Sequence, residues 1–133
     1  MQPKLIAIID DEPEMEDLYL LIFESLIDHN LVVMHFFSDG LAFLHWFRKN
    51  RPDLLLCDIN LPGMGGSELI EEIRRIEKNN LALSIKINFV SGHHPDHYLS
   101  MMDGHQVSRF ITKPLAARET LALIEKDLGL VSP

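Results

Sequence analysis

The sequence predicts an α/β protein: one parallel sheet of five strands, doubly wound with helices on both faces. Two patterns carry that expectation. Five short, nearly continuous apolar runs alternate with segments whose apolar residues recur at helical spacing, as buried parallel strands and their crossover helices do. In addition, Asp10-Asp11, Asp58, Ser91 and Lys113 stand at or just beyond the ends of four of those runs, where open α/β sheets place their chemistry. A chain of 133 residues is long enough for one core, and residues 1–133 read as a single domain.

Leu5 to Ile9 is the first strand, ending abruptly in Asp10-Asp11-Glu12-Pro13. Proline suits the first turn of a helix, and acidic residues suit its positive N-terminus. Met15, Leu18, Tyr19, Ile22 and Leu26 predict one helix running to about Asp28, broken by His29-Asn30. Leu31 to Phe36 is the second strand, and Ser38-Asp39-Gly40 is a turn with helix-capping chemistry. A second helix follows from Leu41 to Lys49, carrying Phe43, Leu44, Trp46 and Phe47. These aromatic residues read as packing rather than a ligand platform.

The third strand, Leu54 to Asp58, opens into a Pro/Gly turn and then a helix from about Ser67 to Lys78. Its apolar face is Leu69, Ile70, Ile73 and Ile76, while Glu71-Glu72 and Arg74-Arg75 read as a solvated face. Ile85 to Val90 is the fourth strand, ending at Ser91-Gly92. A weaker helix is expected over 94–103, then a fifth strand from Val107 to Ile111 and a last helix using Leu121, Ile124 and Leu128. Topology rules favour the flavodoxin-like strand order 2-1-3-4-5. Its switch point, between strands one and three, receives Asp10, Asp11 and Asp58.

A net charge of −8 argues against a nucleic-acid footprint or attraction to an anionic membrane surface. No apolar run approaches membrane-spanning length. The single cysteine, Cys57, lies inside an apolar run and cannot form an internal disulfide, so a reducing, cytoplasmic compartment is expected. Burial raises a thiol's pKa, so Cys57 reads as inert packing beside Asp58. His93, His94 and His97 lack a convincing third ligand and read as a solvated loop and helix start.

Three carboxylates converging on one crevice repel one another. Two unit charges about 4 Å apart at an effective dielectric near 20 cost roughly 4 kcal/mol, which a bound cation offsets. Hard oxygen ligands suit Mg²⁺ or Mn²⁺. With a phosphoryl group added, every part has a role. Asp58 attacks as a carboxylate nucleophile, the cation and Lys113 offset charge on the phosphoryl oxygens, and Ser91 donates a hydrogen bond to one of them.

On these residues the chain resembles a response-regulator receiver domain, the phospho-acceptor module of two-component signalling, over essentially its whole length. The resemblance implies Asp11 as a direct metal ligand, Asp10 acting largely through water, Asp58 as the phospho-acceptor and Asn60 as a ligand through its backbone carbonyl. It further implies Ser91 as the switch hydroxyl, Phe110 as the switch aromatic, and a cis-type Lys113-Pro114 peptide. Lys113 follows Ser91 by 22 positions and Phe110 by three, as in the family. Asn60 and His93 would be the variable positions flanking the phosphoryl group that tune its hydrolysis.

By the same resemblance, a sensor histidine kinase or phosphotransfer protein donates the phosphoryl group, and the surface of the helix over 94–103, the fifth strand and the last helix signals to a protein partner. The expectation is a stand-alone receiver, not an enzyme, with homodimerisation left open. Its rivals are a phosphorylation-independent receiver-fold scaffold, an aspartyl-phosphate hydrolase of the haloacid dehalogenase type, and a flavin binder. The hydrolase wants a second Asp two residues after its nucleophile on strand one, where this chain has Asn60 after strand three. A flavin phosphate would meet Asp10-Asp11-Glu12. Three features depart from the family: Asn88 within strand four, Gly92 after the switch serine, and a stretch from Asn79 to Ser84 that lengthens the Asp58-to-Ser91 spacing. None removes a residue that phosphorylation needs.

Overall fold

The computed structural model describes residues 2–80, 84–92, 104, 107–131 and 133. Its strands are β1 (Lys4–Ile9), β2 (Val32–Phe37), β3 (Leu54–Asp58), β4 (Lys86–Ser91) and β5 (Arg109–Thr112). All pair in parallel, in the order β2-β1-β3-β4-β5, which is the expected topology. The described helices are α1 (Pro13–Ile22), α2 (Glu24–Asp28), α3 (Gly40–Phe47), α4 (Gly66–Asn79) and α5 (Ala117–Leu128). The helix expected over 94–103 lies outside the described residues. Among those described, no helix is long and apolar enough to cross a membrane.

The period of two along each strand divides the core into two layers. On one face Ala7, Ile9, Leu55, Cys57 and Phe89 pack with Phe43, Phe47, Leu69 and Ile73 of α3 and α4. On the other, Ile6, Ile8, Leu54, Leu56 and Val90 pack with Met15, Tyr19, Leu26 and Ile124 of α1, α2 and α5. Covered on both sides, β3 is buried along its whole length, and Asp58 at its end inherits that fixed position.

Three local features differ from the sequence reading, and a fourth accounts for a departure noted there. The first helix does not run unbroken to Asp28. At Phe23 the backbone leaves helical geometry (φ −99°, ψ 11°), while its N–H still donates to Tyr19 O at 3.0 Å. This bend buries the Phe23 ring completely and sets it nearly parallel to that of Tyr19, centroids 6.3 Å apart. At the far end of the sheet, β5 starts at Arg109 rather than Val107.

Arg74 is the third difference. It turns inward, donating from Nη1 to Glu77 Oε1 at 2.8 Å and to the Ile85 carbonyl at 3.1 Å. Glu77 Oε2 accepts from the Ile85 N–H at 2.6 Å, so two α4 side chains satisfy both backbone groups of the residue before β4. Arg75 keeps the expected solvated role, paired with Glu72.

The fourth concerns Asn88, which is fully buried. Its Nδ2 donates to Asp127 Oδ2 at 2.8 Å, and its Oδ1 has no partner among the described residues. Arg109 Nε donates to both Asp127 carboxylate oxygens, at 3.0 and 3.2 Å, and Lys86 Nζ donates to the Asp127 carbonyl at 2.8 Å. Three donors from β4 and β5 therefore converge on one residue in the last turn of α5. The polar strand residue is compatible with burial because a carboxylate from the facing helix meets it.

Three stability outcomes follow. A Cβ at Gly66 would lie 3.1 Å from Ile59 Cα and 3.3 Å from Phe89 Cε1, whereas one at Gly92 meets nothing within 4 Å among the described residues. Gly66→Ala is expected to lower unfolding free energy in urea by about 1–3 kcal/mol, and Gly92→Ala to change it by less than about 0.5 kcal/mol. Asp127→Ala strands Asn88 and Arg109 and is expected to cost about 2–4 kcal/mol by the same measurement.

Candidate functional site

The carboxyl ends of β1, β3, β4 and β5 bring together the residues singled out in the sequence. Asp10 follows β1, and its N–H donates to Phe37 O at 3.0 Å. Its Oδ1 accepts from the Glu12 N–H at 3.0 Å, a side-chain turn that leads the chain into Pro13, the first residue of α1. Asp58 repeats the device at the end of β3, its Oδ1 accepting from the Asn60 N–H at 3.0 Å. In each case the carboxylate is aimed by the loop that follows it.

Lys113, just past β5, reaches across the sheet to both strands. Its Nζ donates to Asp10 Oδ2 at 2.9 Å and to Asp58 Oδ2 at 3.1 Å, and lies 3.5 Å from Glu12 Oε1. The Lys113 backbone N–H donates to Ser91 O at 2.9 Å, locking the ends of β4 and β5 together. The expected cis peptide between Lys113 and Pro114 is observed. Ser91 is fully buried, and its Oγ accepts from Asn60 Nδ2 at 3.4 Å. Phe110 is half-buried against the α3–α4 side of the core. Asp11 is exposed, yet contributes an oxygen to the same group as Asp10, Glu12 and Asp58, whose ligand atoms lie within 4.8 Å of one another.

Burial and charge oppose each other here. Burial pushes the Asp10 carboxyl above its ordinary value, and the Glu12 N–H and Lys113 pull it down without cancelling that cost. Burial alone would lower the Lys113 pKa, but its hydrogen bonds to Asp10 and Asp58 and their charges outweigh it and raise the pKa. The stabilisation that Lys113 gains by pairing is thus complete below the unfolded-chain value of 10.5, and fades as pH rises through the higher folded one.

Oxygen-only donors at this spacing fit a hard divalent cation. Beside them a cleft of about 260 Å³, bordered by Asp10, Asp11, Glu12, Glu16 and Ser38, is large enough for an ion that keeps several waters, each occupying about 30 Å³ of liquid volume. Two contributions were not foreseen in the sequence. Glu12 belongs to the acidic group, and its position directly after Asp10-Asp11 was the available signal. The side chain of Asn60 contacts Ser91 at the end of β4, a pairing of residues 31 positions apart that no local pattern announces. His93 lies outside the described residues.

Cys57 is fully buried, and burial first, then the neighbouring Asp58 charge, pushes its thiol pKa up. A thiolate-selective reagent at pH 8 is expected to leave the folded protein unlabelled and to modify one thiol per chain once urea unfolds it, read by intact mass.

Known proteins align along nearly the whole chain. RpfG, a cyclic di-GMP phosphodiesterase response regulator of Xanthomonas campestris pv. campestris (strain 8004), is 31% identical over 125 residues, 94% of this chain. The chain spans only 32% of that relative's length. Response regulator Rcp1 of Synechocystis sp. is 25% identical over 131 residues, covering 92% of this chain and 85% of the relative. The receiver domain of sensor histidine kinase PA1611 from Pseudomonas aeruginosa PAO1 superposes with a TM-score of 0.78 at 18% identity, covering 96% of this chain and 98% of that one. That structure holds a magnesium ion in its active-site cleft. The family model for the response regulator receiver domain matches residues 6–125, and the chain belongs to that family, the phospho-acceptor modules of two-component signalling.

Proposed function

We propose that Asp58 is the phospho-acceptor of this receiver, and that Lys113, Ser91 and the acidic group around Asp10 and Asp11 serve transfer to it. One observation carries the reading. Asp58 is 5% exposed, with its Oδ2 3.1 Å from the Lys113 ammonium and its carboxylate within the group of four acids. A nearly buried carboxylate tied to a lysine and crowded by other acids is suited to receive a charged group that brings its own counter-cation.

In this reading Asp58 attacks the phosphorus of a phosphohistidine on a sensor histidine kinase or phosphotransfer protein. The P–N bond breaks, a P–O bond forms at Asp58, and the departing imidazole keeps the bond's electron pair and takes up a proton. Asp10, Asp11, Asp58 and the Asn60 carbonyl would hold Mg²⁺ or Mn²⁺, which supplies charge neutralisation to the phosphoryl oxygens. Lys113 then turns from Asp58 Oδ2 to a phosphoryl oxygen, and Ser91 donates its hydroxyl to another. With Ser91 drawn toward Asp58, Phe110 fills the space it leaves, and the face of β5 and α5 changes shape for a protein partner. Exchange with a histidine kinase places this chemistry in the cytoplasm.

Incubation with acetyl phosphate and Mg²⁺ is expected to add one phosphoryl group by intact mass. Asp58→Asn or chelation of the metal should abolish the adduct. An undiminished adduct on Asp58→Asn would overturn the assignment, as would a wild-type protein that gives neither an adduct nor a Mg²⁺-dependent response to beryllofluoride.

A further inference from the structure

Four hydrogen bonds at the strand ends close into a ring. Asn60 N–H donates to Asp58 Oδ1 at 3.0 Å, and Asn60 Nδ2 donates to Ser91 Oγ at 3.4 Å. Ser91 O accepts from Lys113 N–H at 2.9 Å, and Lys113 Nζ donates to Asp58 Oδ2 at 3.1 Å. Two of these links involve main-chain groups whose positions the strand ends fix. The Lys113 link survives a change of acceptor, because its ammonium rotates among oxygens on a flexible stem. The Asn60–Ser91 link differs, since it joins a loop side chain to one at the end of β4 and is the longest of the four.

We propose that the Asn60 side chain is a latch on the Ser91 hydroxyl in the unmodified protein, and that it sets how readily the switch is thrown. This rests on Asp58 being the phospho-acceptor and Ser91 the group that turns to its phosphoryl oxygens. Ser91 Oγ cannot hold the geometry of its bond to Asn60 while moving onto a phosphoryl oxygen, so the two contacts compete. The latch does not depend on which way round the amide lies. Were it turned over, the Ser91 hydroxyl would donate to the amide oxygen and be held as before. Asn60 is thus a positioning residue with two separable parts. Its backbone N–H aims Asp58, and its side chain retains Ser91.

The separation makes the latch testable, because Asn60→Ala removes the amide and leaves the backbone N–H and carbonyl in place. Beryllofluoride, titrated at saturating Mg²⁺ and followed by calorimetry, probes the phosphorylated-like state. Asn60→Ala is expected to bind about two- to fivefold more tightly than wild type, the scale of one modest hydrogen bond no longer broken. In the Ser91→Ala background, where no hydroxyl is left to release, Asn60→Ala should change the affinity by less than the error of the measurement. Unchanged or weaker binding by Asn60→Ala, or an equal gain in the Ser91→Ala background, would overturn the latch while leaving the phospho-acceptor standing. A wild-type protein that binds no beryllofluoride would overturn both.

Discussion

Carboxylates from the ends of two strands meet at one end of the sheet, and their mutual repulsion has to be answered before the chain can close there. The Lys113 ammonium answers it, contacting Asp10 and Asp58 together. That contact spans more than half the sequence and requires β1, β3 and β5 to be in order at once. It therefore joins tertiary assembly to local electrostatics. The strands cannot deliver their acids to the crevice cheaply unless the last strand has delivered its lysine. A cation entering the cleft would take over part of that neutralisation, and this frees Lys113 for other oxygens.

The rest of the architecture holds the arrangement still. β3 is covered on both faces, so Asp58 projects from a strand with little room to shift. Matching side-chain turns after β1 and β3 fix one oxygen each of Asp10 and Asp58. What remains adjustable is the part of the ring made by side chains alone, the Lys113 ammonium and the Asn60–Ser91 contact. Rigid and adjustable parts are divided as the proposed switch requires, with a fixed carboxylate at Asp58 and movable side chains around it.

Much of this was legible in the sequence because it follows from short-range pattern. Buried strands announce themselves as apolar runs, and the residues ending those runs are placed by topology alone, so Asp10, Asp11, Asp58, Ser91 and Lys113 could be brought together without coordinates. The misreadings share one cause, which is contact between distant segments. Arg74 has the spacing of a surface residue, and only the arrival of Ile85 beside α4 makes it an interior one. Phe23 bends its helix with neither glycine nor proline to signal it, because burying the ring outweighs the local regularity. Asn88 was an anomaly until Asp127, 39 residues later, supplied its carboxylate.

The Asp127 cluster gives α5 two unequal ends. Its last turn is held by donors from both β4 and β5 and finished by Gly129 in a left-handed cap (φ 67°). Its first turn, which follows the Lys113-Pro114 link to the site, has no side-chain cap at Ala116. A rod pinned at its last turn behaves as a lever with that turn as its fulcrum. Displacements arising near Lys113 would swing the start of the helix through the widest arc, while residues beside Asp127 barely move. The direction in which this face can respond is thus written into a carboxylate held against the starts of β4 and β5, the opposite strand ends from Asp58.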